Sequence, residues 1–330
     1  MSEAASPAEP VRSAAPGWYR GDCHVHSVYS HGGELTPEQV AAGARAVGLD
    51  FVVTTEHNTA DGHEAWARLG DGDLMVLFGQ EVVTRTGHWL ALGLEAGQLI
   101  DGDYGVRDAV VERHLAAVHR VGGLCVAAHP YAPYPSGAFV YPYRGFDVVE
   151  VWNGPWTSDL PWQANNEVAL AEWGRSLAAD VHRGRWRPAI GNSDTHLDGQ
   201  IGIPHTVVAA EKPTPAAILA GIRAGRCWVA ESAAVHLEFN LVVGGRRAGI
   251  GEELNTGGAP VVAQVQVHGV PAGTVSFHTE KGVAHRTVLP ATGSDNLEWH
   301  TSAAEAGFVR IEVRHPDGRM AALSNPITLV

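Results

Sequence analysis

Two histidines separated by one residue follow the first apolar run of the chain, in Asp22-Cys23-His24-Val25-His26-Ser27. Alternate side chains of a β-strand point to the same face, so His24 and His26 on such a strand can bind one cation together. A hydrogen-bonded or solvated pair of histidines explains an isolated motif of this kind equally well. The motif therefore predicts a metal site only if further ligands reach the same place.

Further residues of metal-ligand type stand at the borders of other apolar runs: His57, Glu81, His88, His129, Asp194 and His196. Taken singly, His57 could cap a helix, Glu81 could pair with Arg85, His88 could lie in a hairpin and His129 could precede a turn. Taken together, imidazoles and carboxylates converging at strand ends need a shared positive charge. The donors exceed what one tetrahedral ion uses, which predicts two or three divalent metal ions (Zn, Mn or Fe) with a bridging carboxylate.

These residues would be positioned by repeated βα units, because short β-branched runs alternate with amphipathic segments from residue 18 to about 235. The pattern predicts an α/β barrel or a doubly wound sheet, with chemistry at the strand ends. Thr36, Pro37 and Gln39 form a capping signal for the first helix, and Gly48 ends it. Strands are predicted at Trp18–Val25, Asp50–Thr55, Leu74–Val82, Leu124–Ala128, Phe146–Trp152 and Pro188–Gly191.

The rest of the chain has a different pattern. Residues 236–330 show alternating runs separated by Gly, Pro, Asn and Asp, which is typical of a β-sandwich accessory domain, and residues 1–17 indicate a flexible tail. The domain boundaries are therefore predicted at 1–17, 18–235 and 236–330.

The composition excludes several classes of partner. Lys and Arg number 23 against 36 Asp and Glu, a net charge of −13, and no basic cluster occurs. Nucleic acid and membrane surfaces are therefore not expected partners, whereas a small-molecule substrate is. Three scattered cysteines and the lack of an apolar leader predict a cytoplasmic protein.

The ordered motifs resemble those of the polymerase and histidinol phosphatase (PHP) superfamily. The pairing of Glu81 with Gly87-His88 and the terminal Ser324-Asn325-Pro326-Ile327 resemble its CehA/McbA-type metallohydrolase branch. The motifs that carry the resemblance are His24-x-His26, Thr55-Glu56-His57, Gln80-Glu81, Ala128-His129-Pro130, Glu150-Val151-Trp152-Asn153 and Ser193-Asp194-x-His196.

The resemblance implies a distorted (β/α)7 TIM-like barrel that holds up to three metals. One ion would be bound by His24, His26, Glu81 and Asp194. Glu81 would bridge to a second ion on His88 and His129, and a third would be bound by His31, His57 and His196. Many relatives have Asp at the positions of His31 and Glu56, and Glu56 is expected beside the ligands instead of among them.

The expected activity is that of a metal-dependent phosphoesterase in which a hydroxide shared by two ions attacks a small organic phosphate. Glu81 and Asp194 would hold the catalytic ions, and the resemblance suggests His205 as the proton donor to the leaving group. Arg144 is predicted as a phosphate clamp, and its alternative is a surface ion pair. Asn153 and Tyr131 are predicted to contact substrate.

Two alternatives stay open. The same hydroxide could hydrolyse a carboxylic ester, carbamate or amide, and an apolar pocket wall would favour that reaction over a wall with several arginines. A non-catalytic metal- or carbohydrate-binding protein is the third reading. The β-sandwich would brace the barrel or form the interface of a homo-oligomer.

Overall fold

The computed structural model describes residues 17–70 and 72–330, so the predicted tail lies outside the described residues apart from Gly17. Within these residues no helix is long and apolar enough to cross a membrane. The N-terminal strands are β1 (Trp18–Val25), β2 (Phe51–Thr54), β3 (Met75–Thr84), β4 (Gly87–Leu92), β5 (Leu124–Ala127), β6 (Val148–Asn153), β7 (Ala189–Asn192), β8 (His205–Ala209) and β9 (Cys227–Ala230). The helices are α1 (Pro37–Ala46), α2 (His63–Ala67), α3 (Val111–Arg120), α4 (Asn166–Asp180) and α5 (Pro215–Arg223), with short 3-10 helices at Val106–Asp108 and Val181–Arg183.

Local sequence signals account for the first helix. Thr36 accepts a hydrogen bond from the Gln39 N–H through its hydroxyl, and the Gln39 side chain accepts one from the Thr36 N–H. Pro37 occupies the first turn, where its missing N–H is not needed. All six predicted strands are confirmed, with ends that differ by at most two residues.

The sheet is mixed instead of uniformly parallel. Strands β1, β2 and β3 pair in parallel, as do β5, β6 and β7, but β4 is antiparallel to both β3 and β5. Only Arg85 and Thr86 separate the paired residues Thr84 and Gly87, and a connection of that length allows a hairpin but no crossover helix. Strands β8 and β9, which the sequence pattern did not indicate, extend the sheet beside β1 with antiparallel pairing.

The sheet curls so that β7 returns to β1. The Asn192 side-chain oxygen accepts a hydrogen bond from the Cys23 N–H at 2.9 Å, and the His26 N–H donates to the Thr195 carbonyl at 3.0 Å. Inside the curl lies an apolar core whose members include Cys23, Phe51, Leu90, Val126 and Ile190. The curled sheet thus brings the ends of β1, β2, β3, β5 and β7 to one side of this core.

The C-terminal part fits the predicted β-sandwich. One of its sheets has four strands, and the other continues the N-terminal sheet through pairing of β9 with β18. Between them is a core that includes Phe239, Val265, Phe277 and Ile311. The strands are β10 (His236–Val243), β11 (Arg246–Gly249), β12 (Glu253–Leu254), β13 (Val261–His268), β14 (Thr274–Thr279), β15 (Gly282–Val288), β16 (Asp295–Thr301), β17 (Phe308–Arg314), β18 (Met320–Ser324) and β19 (Ile327–Leu329).

Asn325, at the end of β18, joins the two parts of the chain. Its side-chain oxygen accepts a hydrogen bond from the Ala189 N–H at 2.8 Å, and its amide donates to the carbonyls of Ala189 and Cys227 at 2.9 Å each. The residue is buried. Strands β7 and β9 are not paired to each other in the sheet. The Asn325 side-chain amide therefore links two separate strands by satisfying backbone groups of both.

Replacing Asn325 with Ala should therefore lower the free energy of unfolding by on the order of 3 kcal/mol, because several buried backbone groups lose their partner at once. Urea denaturation followed by far-UV circular dichroism measures the change. Asn296→Ala, on the exposed face of β16, is the matched control and should change stability by less than about 0.5 kcal/mol. Equal stability of the two variants would contradict the bridging role.

Candidate metal centre

Eight His, Glu and Asp side chains from different strand ends meet at one place. Their ligand atoms form three groups, each with all its atoms within 4.8 Å of one another. The groups are His24, His26, Glu81 and Asp194; Glu81, His88 and His129; and His26, His57 and His196. Histidine nitrogens and carboxylate oxygens in such groups are the ligands that zinc, manganese and iron accept.

Glu81, on β3, lies between two of these groups. Its Oε1 is 2.9 Å from His88 Nδ1 and 3.0 Å from His129 Nε2. Its Oε2 is 3.3 Å from the Nε2 atoms of both His24 and His26, and 2.9 Å from His57 Nε2. The two oxygens of one carboxylate thus face different sets of imidazoles, which is the arrangement required of a bridging ligand.

Asp194 closes the first group from the loop after β7. Its Oδ1 lies 3.4 Å from His24 Nε2 and 3.1 Å from His26 Nε2. Asp194 and His129 both have positive φ values, 52° and 23°, in the left-handed region that non-glycine residues rarely adopt. Strained backbone of this kind concentrates at functional sites, where the surrounding structure imposes it.

The centre contains buried polar atoms that have no hydrogen-bond partner among the described residues. They are His24 Nε2, His26 Nε2, His88 Nε2, His129 Nδ1 and Asp194 Oδ1. An unpaired buried polar atom is unfavourable by roughly 1–3 kcal/mol, and five in one pocket are rare in a native protein. His24 Nε2, His26 Nε2 and Asp194 Oδ1 belong to one ligand group and face one another, so this donor set fits a divalent ion. The unpaired nitrogens of His88 and His129 are those opposite the ones that face Glu81.

The charges of the side chains oppose one another when no cation is bound. Burial alone would lower the pKa of His26, but its contacts with Asp194 and Glu81 raise that pKa to about 9. Burial would raise the pKa of Glu81, whereas the charges of His24 and His88 hold it well below its usual range. The pocket therefore requires positive charge near its two carboxylates, supplied by protons or by metal ions.

A carboxylate that is not itself in any of the three groups orients His24. Glu150, on β6, lies 3.1 Å from His24 Nδ1 and also accepts hydrogen bonds from the His129 N–H, at 2.9 Å, and from the Asn192 amide, at 2.8 Å. With Nδ1 bound to Glu150, the Nε2 of His24 faces Glu81 and Asp194. Carboxylates in this position fix the tautomer and orientation of metal-binding histidines.

His26 is oriented in the same way through a hydroxyl group. Its Nδ1 lies 3.0 Å from Ser30 Oγ, and Ser30 Oγ donates to Glu56 at 2.5 Å. Glu56 also accepts hydrogen bonds from the side chains of Ser27 and Trp66. Its oxygens are therefore engaged by donors of the protein, and Glu56 lies beside the metal-ligand groups, not in them.

The pocket opens to solvent on one side. The side chains of Asp194, His57 and His196 are 23%, 23% and 25% exposed, whereas those of His24 and His26 are fully buried. A substrate would approach past these three residues.

Two other predicted residues lie apart from the three groups. His31 is exposed and belongs to none of them; His26 takes its place beside His57 and His196. Arg144 is exposed, and its role as a phosphate clamp stays a prediction. Both lie in loops, whose course the strand pattern does not determine.

His205 hydrogen-bonds with groups other than the substrate leaving group to which it is predicted to donate a proton. Its Nε2 lies 2.8 Å from an Arg20 nitrogen, and its Nδ1 lies 2.9 Å from the Gly202 carbonyl. The guanidinium can only donate, so Nε2 accepts and Nδ1 carries the proton. Both ring nitrogens are thus engaged by groups outside the three ligand groups, and the role of His205 as an acid stays a prediction.

Three side chains that could contact a substrate lie near the metal centre or in the loop after His129. Asn153 donates to Asp194 Oδ2 at 3.2 Å and to Glu150 at 3.1 Å. Tyr131 is half-buried, and its carbonyl accepts a hydrogen bond from the Asn165 N–H, with no contact to the ligands. Tyr134, which the sequence did not single out, has its ring centroid 5.9 Å from that of His88.

The ring of Tyr134 is held by its own loop. Burial, with the charges of Glu81, Asp194 and Glu150, raises the pKa of its hydroxyl. A Cβ at position 137 would lie only 2.2 Å from the Tyr134 ring, so Gly137 is required for this packing. The signal for Tyr134 in the sequence was only its place in the Pro- and Tyr-rich loop after His129.

Comparisons with known proteins agree with this arrangement. Residues 175–227 match the family model described as PHP-associated. A two-domain protein from Bacteroides vulgatus, described as containing a predicted PHP-like metal-dependent phosphoesterase, has a similar fold, with a TM-score of 0.51, 16% identity and 94% of each chain covered. The family match covers a short segment of the chain, and the likeness to the Bacteroides vulgatus protein concerns the fold.

Two further proteins are similar over shorter stretches. The uncharacterized protein MJ1587 of Methanocaldococcus jannaschii is 27% identical over 125 residues, which cover 34% of this chain and 69% of that protein. PsfC from Pseudomonas syringae is 21% identical, with a TM-score of 0.44 and coverage of 60% of this chain and 84% of that one.

The burial of His205 predicts a pH-dependent stability. Burial, followed by the charge of Arg20, lowers the pKa of His205 to about 3, whereas in the unfolded chain it is about 6.5. Between these values only the unfolded chain takes up the proton, so stability is fully present above about pH 6.5 and is lost as the pH falls. The loss should be about 1.4 kcal/mol per pH unit.

We expect His205→Gln to lose stability less steeply than the unsubstituted protein between pH 6.5 and 4.5. Urea denaturation at several pH values, on protein freed of metal by a chelator, measures the slope. His268→Gln, at an exposed strand end, should keep the original slope. An unchanged slope in His205→Gln would show that His205 is not the group responsible.

Proposed function

We propose that this protein is a metal-dependent hydrolase of the PHP type. The observation that carries the proposal is the set of three unpaired, buried ligand atoms beside Glu81: His24 Nε2, His26 Nε2 and Asp194 Oδ1. Divalent ions bound there supply an activated water as nucleophile and stabilise negative charge on the reacting group. The residues of the chain hold the ions, orient the substrate and limit access of water to the open side of the pocket.

Two complete ligand groups support two ions. His24, His26, Glu81 and Asp194 would hold one, and Glu81, His88 and His129 the other. A third ion on His57 and His196 needs one more ligand, because His26 Nε2 serves the first group and its Nδ1 contacts Ser30. We propose that His31 supplies that ligand when a third ion binds.

The proposed reaction is hydrolysis of a small organic phosphate. The fold shared with a protein that contains a predicted PHP-like phosphoesterase supports this choice. Tyr134, beside His88, is the neutral hydrogen-bond donor suited to hold a non-bridging oxygen, and Asn153, whose amide hydrogens go to Asp194 and Glu150, would contact the substrate through its side-chain oxygen. Tyr131 and Arg144 would contact more distant parts of the substrate from their loop.

One observation favours a second candidate, hydrolysis of a carboxylic ester, carbamate or amide. Among the described residues, no arginine or lysine side chain hydrogen-bonds or ion-pairs with Glu81, Glu150 or Asp194. A phosphate dianion is usually bound by such cations, whereas an ester needs fewer of them.

We also propose that the chain belongs to the CehA/McbA-type branch, with a distorted (β/α)7 barrel. The proposal rests on the motifs around Glu81 and Asn325.

The bridging position of Glu81 gives a test of the ligand assignment. Glu81→Ala should remove both ions and reduce kcat/KM by more than about 1,000-fold, because one carboxylate contacts both ligand groups. His31→Ala should lose at most one ion and retain most of the activity. Elemental analysis of the purified variants, with circular dichroism to establish folding, measures the metal content. Equal losses of metal in both variants would contradict the assignment.

A substrate panel separates the candidate reactions. The metal-loaded protein should release p-nitrophenol from p-nitrophenyl phosphate and turn over the acetate and a carbamate at least tenfold more slowly. The reverse preference would identify the second candidate. Metal binding without turnover of any of these compounds would support the non-catalytic alternative. Protein treated with a chelator and assayed in parallel is the control for contaminating hydrolases.

A further inference from the structure

A cavity of about 700 Å³ lies between α4 and the C-terminal sheet. None of the metal-centre residues lines it. The helix presents Ala171, Gly174 and Ala178 to the cavity, and these small side chains leave the space unfilled. A Cβ at position 174 would be 3.7 Å from its nearest neighbour, an Arg310 nitrogen. The volume is in the range of sites for small organic molecules.

The sheet wall carries alternating charges on β17 that neutralise one another. Arg310 donates to Glu312 Oε1 at 2.8 Å, and Arg314 donates to Glu312 Oε2 at 3.2 Å. Arg314 also binds both oxygens of Glu167 on α4, at 2.6 and 3.1 Å. Two guanidinium groups are thus balanced by two carboxylates inside the wall.

Two neighbouring polar groups on this wall remain without a partner. Ser276, on β14, pairs in register with Arg286 on β15 and with Glu312 on β17, so the three side chains share a face. Ser276 is 6% exposed, and its hydroxyl makes no hydrogen bond to another described residue. The Arg286 side chain likewise has no hydrogen bond or ion pair among the described residues. The nearby Glu280 carboxylate accepts a hydrogen bond from the Gly307 N–H.

We propose that the cavity is a binding site for a small organic anion. Its carboxylate or phosphate group would be held by the Arg286 guanidinium and the Ser276 hydroxyl, and its apolar body would lie against Ala171, Gly174 and Ala178. The Arg286 guanidinium is exposed at the cavity and makes no hydrogen bond or ion pair to another described residue, so it is available to an anionic acceptor group that also accepts from the neighbouring Ser276 hydroxyl.

Isothermal titration calorimetry on the metal-loaded full chain tests the site with two probes, butyrate and inorganic phosphate. At least one probe should bind, and the arm that gives heat identifies carboxylate or phosphate as the preferred group. Arg286→Gln should weaken this binding at least tenfold, and Arg247→Gln, an exposed arginine on β11, should leave it unchanged. Absence of binding by both probes would overturn the proposal.

A second pair of variants tests the cavity itself. Gly174→Leu fills the space and should abolish binding, whereas Gly174→Ala adds one methyl group where room exists and should preserve it. Binding at the metal centre is separated by Glu81→Gln, which should leave the cavity signal intact. If Gly174→Leu and Arg286→Gln bind as the unsubstituted protein does, the anion is not in this cavity. The proposed hydrolase activity is independent of that result.

Discussion

The charge balance of one buried pocket constrains the rest of this structure. Glu81 and Asp194 are brought within about 3.5 Å of several imidazole nitrogens, out of contact with most of the solvent. Neither carboxylate has an arginine or lysine partner there among the described residues, so the compensating charge must come from protons on the histidines or from metal ions. A divalent ion satisfies the unpaired atoms of His24, His26 and Asp194 as well as the charge.

The fold supports that pocket at two levels. Strand ends set the positions of the ligands, and the β3–β4 hairpin brings His88 back beside Glu81. Residues outside the ligand groups then fix the rings: Glu150 holds His24, and Ser30 with Glu56 holds His26. Because the rings are fixed before any ion binds, little ordering of side chains is needed on binding. The left-handed backbone at His129 and Asp194 is a local strain that this arrangement imposes.

The sequence predicted the strands and the convergence of the metal ligands because both depend on a short-range pattern. In that pattern a His, Asp or Glu residue stands at the border of an apolar run. The sequence assigned no role to Glu150, although Glu150 is the only charged residue in the buried strand Val148–Asn153 and this is a usable signal. It predicted neither the pairing of His205 with Arg20, which is 185 positions away, nor the exposure of Arg144. Loop course and long-range pairing depend on tertiary packing, and no periodicity records them.

The first turn of α4 connects the C-terminal sheet with the metal centre. Arg314 of β17 holds Glu167, while the adjacent Asn166 accepts a hydrogen bond from the Asn153 N–H at 3.0 Å and donates to its carbonyl at 3.2 Å. Asn153 in turn donates to Asp194. If the C-terminal part only supported the N-terminal part from outside, it would not need a contact with α4 this close to Asp194. A chain of hydrogen bonds through Glu167, Asn166 and Asn153 thus links the C-terminal sheet to Asp194, and packing of that sheet against α4 helps to position Asn153.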